Sequence, residues 1–415
     1  MPDAWISPIV FSLLVIGLCV RLGLLRRHIR HVTQHANAVP AAFAAAITLE
    51  AHQKAALYAR ARSQLNALQH MVDAGWLIWV LWGGGLMWFN QHIAATGTLW
   101  SELLLIGALV FAGELIQLPL SLYSTFGLEA RFGYNRTTPQ LFLADLLRGT
   151  LLSIVIGGPL CAAVLMLLAY EQAWLWIWLL WNSFTLGLAA AFPHWIAPLF
   201  NQFTPLDNPS LQLKIDALLQ RCGLPPRKIY IADSSRRSTR GNAYLAGLGK
   251  SQRIVIFDTL LEHLDEAEIE AVLAHELGHA QRHHLKQRML AGLVLSFILL
   301  AGFGYALQHP QQWAPAFGLE TERTTLLLWA MISVSSVLGA WIAPLGNFFS
   351  RRNEFEADAF AATYSQAEAL ASALTKLYRD NAATLTPDPL YSAYNDSHPA
   401  ALDRVGRLLA QSKKE

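Results

Sequence analysis

The stretch His275–His284 reads HELGHAQRHH, four histidines and one glutamate within ten residues. On a helix of about 3.6 residues per turn, residues four apart stack one above the other, so the rings of His275 and His279 can grip a single ion. Glu276 sits about 100° round from His275, near enough to serve as a general base and too far round to be simply a third ligand. This is the HExxH arrangement of metal-assisted hydrolysis, with His275 and His279 as zinc ligands and Glu276 as the base. Random placement at this composition produces the motif about 0.02 times per chain, so accident accounts for it poorly. His283 and His284 read more simply as polar residues at the approach to a membrane run, with no metal role.

A catalytic zinc usually takes about three protein ligands and keeps a position for water, so a carboxylate is sought downstream. SRRNEFEADAFAATY, residues 350–364, supplies Glu354 and Asp358, four apart on one helix face. Glu354 could ligate while Asp358 orients a ligand histidine. A charged, solvated helix beside the membrane meets the same spacing equally well, and that plainer reading suits Glu356.

These residues need a scaffold. Asp265 with Glu268 three residues on matches a capping box, which starts the helix carrying the first motif. Along it Ile269, Leu273 and Leu277 form an inward apolar stripe on another face from the histidines. Gly278 costs that helix about 1 kcal/mol relative to Ala, which a close approach by another segment would explain. Upstream, an amphipathic helix over Ser210–Cys222 and the strand-like runs KIYIAD, NAYLAG and RIVIFD make 194–288 a small α+β unit.

The rest of the chain belongs to a membrane protein. Of 415 residues, 54% are hydrophobic and only 14% charged, too greasy for an ordinary soluble domain. A formal net charge of +2 leaves no basic surplus for nucleic acid, and three scattered cysteines make no disulfide framework. Seven apolar runs, near 6–25, 75–93, 102–122, 150–170, 173–193, 289–308 and 324–345, approach the roughly 20 residues that a bilayer core requires. The basic cluster Arg26, Arg27 and Arg30 follows the first run, as in an uncleaved anchor. Arginine and lysine crowd segments 26–74, 123–149, 194–288 and 346–415, whereas the alternate loops hold Arg323 alone. The expected topology is therefore N-terminus out, with the motifs cytoplasmic. The chain divides into 1–193 with five membrane helices and an amphipathic cytoplasmic segment at 26–74, the core at 194–288, two further membrane helices at 289–345, and a cytoplasmic part at 346–415. A bacterial inner membrane or an endoplasmic reticulum satisfies this topology.

HELGH followed by EFEAD among seven membrane runs resembles the type I CAAX prenyl protease family of integral-membrane zinc endopeptidases. The likeness extends to RFGYNRTT at 131–138, IAPLFNQFTPL at 196–206, NAY at 242–244, SRRNEFEAD at 350–358 and SHPAALDR at 397–404. It implies one zinc held by His275, His279 and Glu354, with Glu276 activating water. It further implies that Asn242 and Ala243 lie on an edge strand pairing with an extended peptide, and that His398 and Arg404 stabilise the developing oxyanion. The expected fold is mostly α, a polytopic membrane protein of about seven transmembrane helices with a small α+β, cytoplasmic-facing, zincin-like catalytic unit. Its expected partners are a peptide or protein substrate, lipidated or not, and the lipid bilayer. Glu114, inside the third run, is expected to face an intramembrane chamber or a polar partner.

Three other functions fit parts of the sequence. A membrane quality-control protease without prenyl specificity would share the catalytic core. A zinc-binding transporter would explain the helices and Glu114, but a structural zinc normally has four protein ligands and only three are in evidence. A non-cleaving scaffold would have no use for Glu276 as a base.

Overall fold

The computed structural model describes residues 5–93, 97–247, 252–319 and 323–412. Its elements run α1 (Ile6–Gln34), α2 (Leu49–Leu81), α3 (Gly85–Ile93), α4 (Leu99–Phe132), α5 (Pro139–Leu167) and α6 (Ala173–Phe200) through the first half. Then come β1 (Phe203–Pro205), α7 (Pro209–Arg221), β2 (Ile229–Ala232), β3 (Ala243–Ala246), β4 (Arg253–Phe257), α8 (Asp258–His263) and α9 (Glu266–Gln281). The chain closes with α10 (His284–Gln308), α11 (Thr324–Tyr364), α12 (Ala367–Asp380), α13 (Pro389–Asn395) and α14 (Ala401–Ser412).

Local chemistry marks the helix starts. Thr48, Thr98 and Thr138 are extended residues whose side chains accept the backbone N–H three positions on, satisfying donors that the first turn leaves free. Pro139 follows Thr138 at the first helical position, where its missing N–H costs nothing. Wider π-helical turns interrupt α4, α5 and α6 at Tyr123–Glu129, Ser153–Gly157 and Phe192–Ile196.

Among the described residues six helices, α1, α4, α5, α6, α10 and α11, are long and apolar enough to cross a membrane, and α2 with α3 makes a seventh if taken as one span. That pair meets at 63°, so the run expected at 75–93 is a bent element and not a straight crossing. Gly84 adopts φ 79° at the break, a left-handed conformation that a Cβ would oppose. The amphipathic segment expected at 26–74 is likewise no separate element. Its first residues continue α1 to Gln34, and from Leu49 it belongs to α2. None of the apolar window of α5 is buried within the chain, against 44% of that of α11. The apolar surface of α5 is thus left uncovered by the rest of the chain, whereas nearly half of the α11 window is packed against it.

The α+β unit contains a four-stranded sheet in the order β1-β2-β4-β3, with β2 and β4 parallel and the outer pairs antiparallel. Its core is non-local. Ile254 and Ile256 of β4 are buried with Ile215 and Leu218 of α7, Leu273 and Leu277 of α9, Phe360 of α11, Leu370 of α12 and Leu408 of α14. Phe43 and Ile47, between α1 and α2, close the same core. Helix α11 carries on unbroken beyond the membrane run expected at 324–345. At about 1.5 Å per residue its 41 residues far exceed a bilayer core of about 30 Å, so one end stands clear of it. Its far end, packed on α9, carries Glu354 and Asp358.

Candidate metal centre and active site

Helix α9 starts as its sequence dictates. The Asp265 side chain accepts the N–H of Glu268 at 2.9 Å, and Glu268 returns an oxygen to the Asp265 N–H at 2.9 Å. Ile269, Leu273 and Leu277 are buried in the core, which fixes the rotation of the helix and turns His275 and His279 toward α11. Gly278 allows the two helices to touch: a Cβ there would lie 3.0 Å from Ala357 Cα and 3.2 Å from its carbonyl oxygen. The close approach suggested by that glycine is present.

Across the contact, His275, His279 and Glu354 converge, with ligand atoms all within 4.8 Å of one another. The Nε2 atoms of His275 and His279 are 3.2 Å apart. Glu354 places Oε1 at 3.2 Å from His279 Nε2 and Oε2 at 3.5 Å from His275 Nε2. Ligands held tetrahedrally at bonds of about 2.0–2.2 Å are themselves about 3.3–3.6 Å apart, so these separations suit a small divalent cation. The proton arrangement agrees. His275 Nδ1 lies 2.9 Å from Asp358 Oδ1, so that nitrogen donates and Nε2 presents its lone pair to the centre. Glu354 Oε2 is buried and hydrogen-bonded to nothing among the described residues, although three nitrogen-bearing side chains approach it within 3.5 Å. An orphaned carboxylate oxygen facing imidazole lone pairs fits a metal ion.

The cage has its own supports. Arg404 of α14, 5% exposed, grips Asp358 with both ends of its fork, Nε at 2.9 Å and Nη2 at 2.6 Å, and brings Nη1 to 3.2 Å from Glu354 Oε2. His398, in the loop before α14, is 64% exposed and sets Nδ1 2.8 Å from Glu354 Oε2. Burial works against a charge on His275, but the Asp358 and Glu354 carboxylates outweigh it and push its pKa up to about 9, so a proton and a cation compete for the Nε2 lone pair. The cluster therefore attracts positive charge.

Glu276 stands beside this cage on a cavity of about 420 Å³ that Asn242, Ala243, His398 and Arg404 also line. Its carboxylate forms no hydrogen bond or ion pair with any described residue, and burial raises its pKa while His275 and His279 pull it back. A free, partly desolvated carboxylate next to a metal site is equipped to take and return a proton. Strand β3 borders the same cavity and is an edge of the sheet. Asn242 O accepts the Phe257 N–H, so by alternation Ala243 turns its backbone away from β4 toward the open edge. An extended peptide can add there as a further strand.

All nine residues singled out in the sequence thus lie at or beside one cavity. Three structural partners have roles that the sequence did not indicate. His284, expected to be a polar residue at the approach to a membrane run, is 1% exposed and sets Nδ1 2.9 Å from His279 Nδ1. Glu356, expected to be solvated, reaches His284 Nε2 at 3.4 Å. Beside the cavity, Arg240 joins Tyr58 and Glu129, at 3.0 Å from Glu129 Oε2. The first pair lies five residues apart across a helix break, where helical periodicity gives no signal. Glu114 is exposed on α4 and forms no hydrogen bond or ion pair with any described residue.

A sheet edge beside a His, His, Glu cage, set among membrane helices, defines a multi-pass membrane metallopeptidase. The comparisons agree along the whole chain. Residues 28–202 match the family model described as CAAX prenyl protease N-terminal, five membrane helices, and residues 205–412 match peptidase family M48. A CAAX prenyl protease 1 homolog of Arabidopsis thaliana is 33% identical, with 91% of each chain covered. CAAX prenyl protease 1 of Saccharomyces cerevisiae is also 33% identical, over 77% of this chain and 74% of its own. The crystal structure of S. mikatae Ste24p superposes with a TM-score of 0.87 at 27% identity, covering 97% of this chain and 98% of the other. The chain belongs to the M48 family of metallopeptidases, in its CAAX prenyl protease branch. It is an integral-membrane metalloendopeptidase acting on peptide or protein substrates.

Proposed function

We propose that the chain is a zinc endopeptidase that cleaves membrane-associated proteins at a carboxyl-terminal CAAX box, in which a prenylated cysteine precedes the final three residues. The carrying observation is the convergence of His275, His279 and Glu354 beside the unpaired Glu276. His275, His279 and Glu354 hold the zinc, and Asp358, itself gripped by Arg404, orients His275. When bound, zinc supplies Lewis acidity that makes water a nucleophile and polarises the scissile carbonyl. Glu276 takes a proton from the attacking water and delivers it to the leaving amine. Asn242 and Ala243 hold the peptide backbone along β3. His398 and Arg404 donate toward the developing oxyanion, His398 from the exposed lip and Arg404 through Nη1, the arm not engaged by Asp358.

Helix α11, long enough to cross the membrane, lends Glu354 to the cavity and would keep a lipidated terminus near the bilayer. The Lys and Arg distribution supports a cytoplasmic catalytic side, with residues 194–288 and 346–415 forming the catalytic part. Purified protein should carry about one zinc per chain and cleave a farnesylated CAAX peptide, with a chelator abolishing cleavage and added zinc restoring it. Chelator-resistant cleavage would sink the zinc assignment. Equal turnover of the same peptide without its prenyl group would replace prenyl specificity with general membrane-protein proteolysis.

A further inference from the structure

We propose that His284 is a positioning residue for the metal site: it accepts the Nδ1 proton of His279 and passes the connection through its own Nε2 to Glu356. This rests on the metallopeptidase reading of the cage. The two ligand histidines are served differently. His275 has a carboxylate behind it, Asp358 at 2.9 Å, whereas His279 has another imidazole, His284, at 2.9 Å between the two Nδ1 atoms. Two nitrogens at that distance share one proton. With Nε2 of His279 offering its lone pair to the cation, the proton sits on His279 Nδ1, and His284 must accept it. His284 then carries its own hydrogen on Nε2, which lies 3.4 Å from Glu356 Oε2. Glu356 is held in turn by Arg352 Nε at 3.2 Å. The opposite arrangement would put a hydrogen on His279 Nε2, pointed at the cage, and remove it as a ligand.

The backbone is bent to make this contact. Helix α9 ends at Gln281, and His283 takes φ 58°, a left-handed conformation in which a non-glycine residue is strained. That turn swings His284 beneath the His279 ring as the first residue of α10, with ring centroids 5.1 Å apart in an edge-on arrangement. A membrane helix therefore begins on the residue that sets the metal ligand, and the seating of α10 is coupled to the orientation of the cage.

Zinc affinity of the purified full-length protein, measured by competition with a chelator and without any peptide, tests the relay. His284→Leu occupies the space without an acceptor, and His284→Asn returns an oxygen near the Nδ1 position. The Leu variant is expected to bind zinc about 10- to 100-fold more weakly and the Asn variant to stay within about threefold of the parent. Parent-level affinity in the Leu variant would overturn the proposal. So would an Asn variant as weak as Leu, which would assign His284 to packing alone. Glu356→Ala, at a side chain 38% exposed, tests the second link independently of the buried ring. About three- to tenfold weaker zinc is expected there, and unchanged affinity overturns the link to Glu356. A parent chain that binds no metal overturns the metallopeptidase reading and this relay with it, whereas tight zinc with no CAAX cleavage overturns only the substrate.

Discussion

Two buried carboxylates show how the same chemistry serves opposite ends. Asp388 is 1% exposed and Glu354 4% exposed, so burial does not distinguish them. Around Asp388 the chain supplies every partner. Arg27 Nε donates to both oxygens at 2.9 and 2.7 Å, and the N–H groups of Leu390 and Tyr391 donate to Oδ1 at 3.1 and 2.9 Å, capping α13. That clamp ties α1 to the C-terminal part, and His28 stacks on Tyr391 with ring centroids 4.1 Å apart to complete it. Around Glu354 four charged or imidazole side chains, His275, His279, His398 and Arg404, gather without satisfying Oε2. A carboxylate finished by N–H donors is a structural joint. One that faces imidazole nitrogens and keeps an oxygen without a hydrogen bond is open to a cation.

Removing parts of the open cage should therefore damage function out of proportion to folding. Glu276→Gln keeps the shape and the three ligands, so zinc content is expected to stay at the parent level while kcat falls about 10²- to 10⁴-fold. His279→Ala should lose both zinc and turnover. Metal analysis beside a cleavage assay separates the two outcomes, and near-parental kcat in Glu276→Gln would remove this residue from the chemistry.

The next effect in size comes from the helix contact behind the cage. A methyl group at position 278 would meet backbone atoms of Ala357, which cannot rotate away as a side chain can. Gly278→Ala is expected to cost about 1–3 kcal/mol in overpacking, partly offset by about 1 kcal/mol of helix propensity. The strain should push α9 from α11, so zinc affinity should fall along with the unfolding temperature. Unchanged affinity with a higher unfolding temperature would mean that the close approach does not set the ligand spacing.

What could be read from the sequence was whatever chemistry is local or repeats with the helix period. The Asp265–Glu268 box, the His275 and His279 pair, the Glu354 and Asp358 pair, and the strands over KIYIAD, NAYLAG and RIVIFD all stand where spacing puts them. The meeting of the two pairs has no signal in spacing, and Glu354 gained its place over a solvated-helix alternative only through a family likeness. Three features depend on long-range packing or on a break in periodicity. Strand β1 is three residues ending in a proline and exists because it pairs with β2. The bend between α2 and α3 turns on one left-handed glycine. His284 falls out of helical register because α9 ends at Gln281 and His283 turns left-handed, and that is the reason it reaches His279.

The smallest expected effect belongs to the closed clamp. Burial opposes the charge on Asp388, but the Tyr391 N–H and the Arg27 guanidinium outweigh it and hold its carboxyl below the usual range. A depressed folded-state pKa contributes stability that is fully present above the unfolded value of about 3.9 and is lost as pH falls through the folded value. The clamp should thus act at full strength at neutral pH and weaken only in strong acid. Asp388→Ala is expected to cost about 0.5–2 kcal/mol, mainly through the lost cap, because Arg27 is 57% exposed and its ion pair is screened by water. Zinc affinity at neutral pH should not change. Thermal unfolding from pH 7 down to pH 3, with zinc content measured in parallel, checks both halves of the contrast. If Asp388→Ala released zinc at neutral pH, the two carboxylates would be parts of one coupled unit, and the division between joint and cage would be wrong.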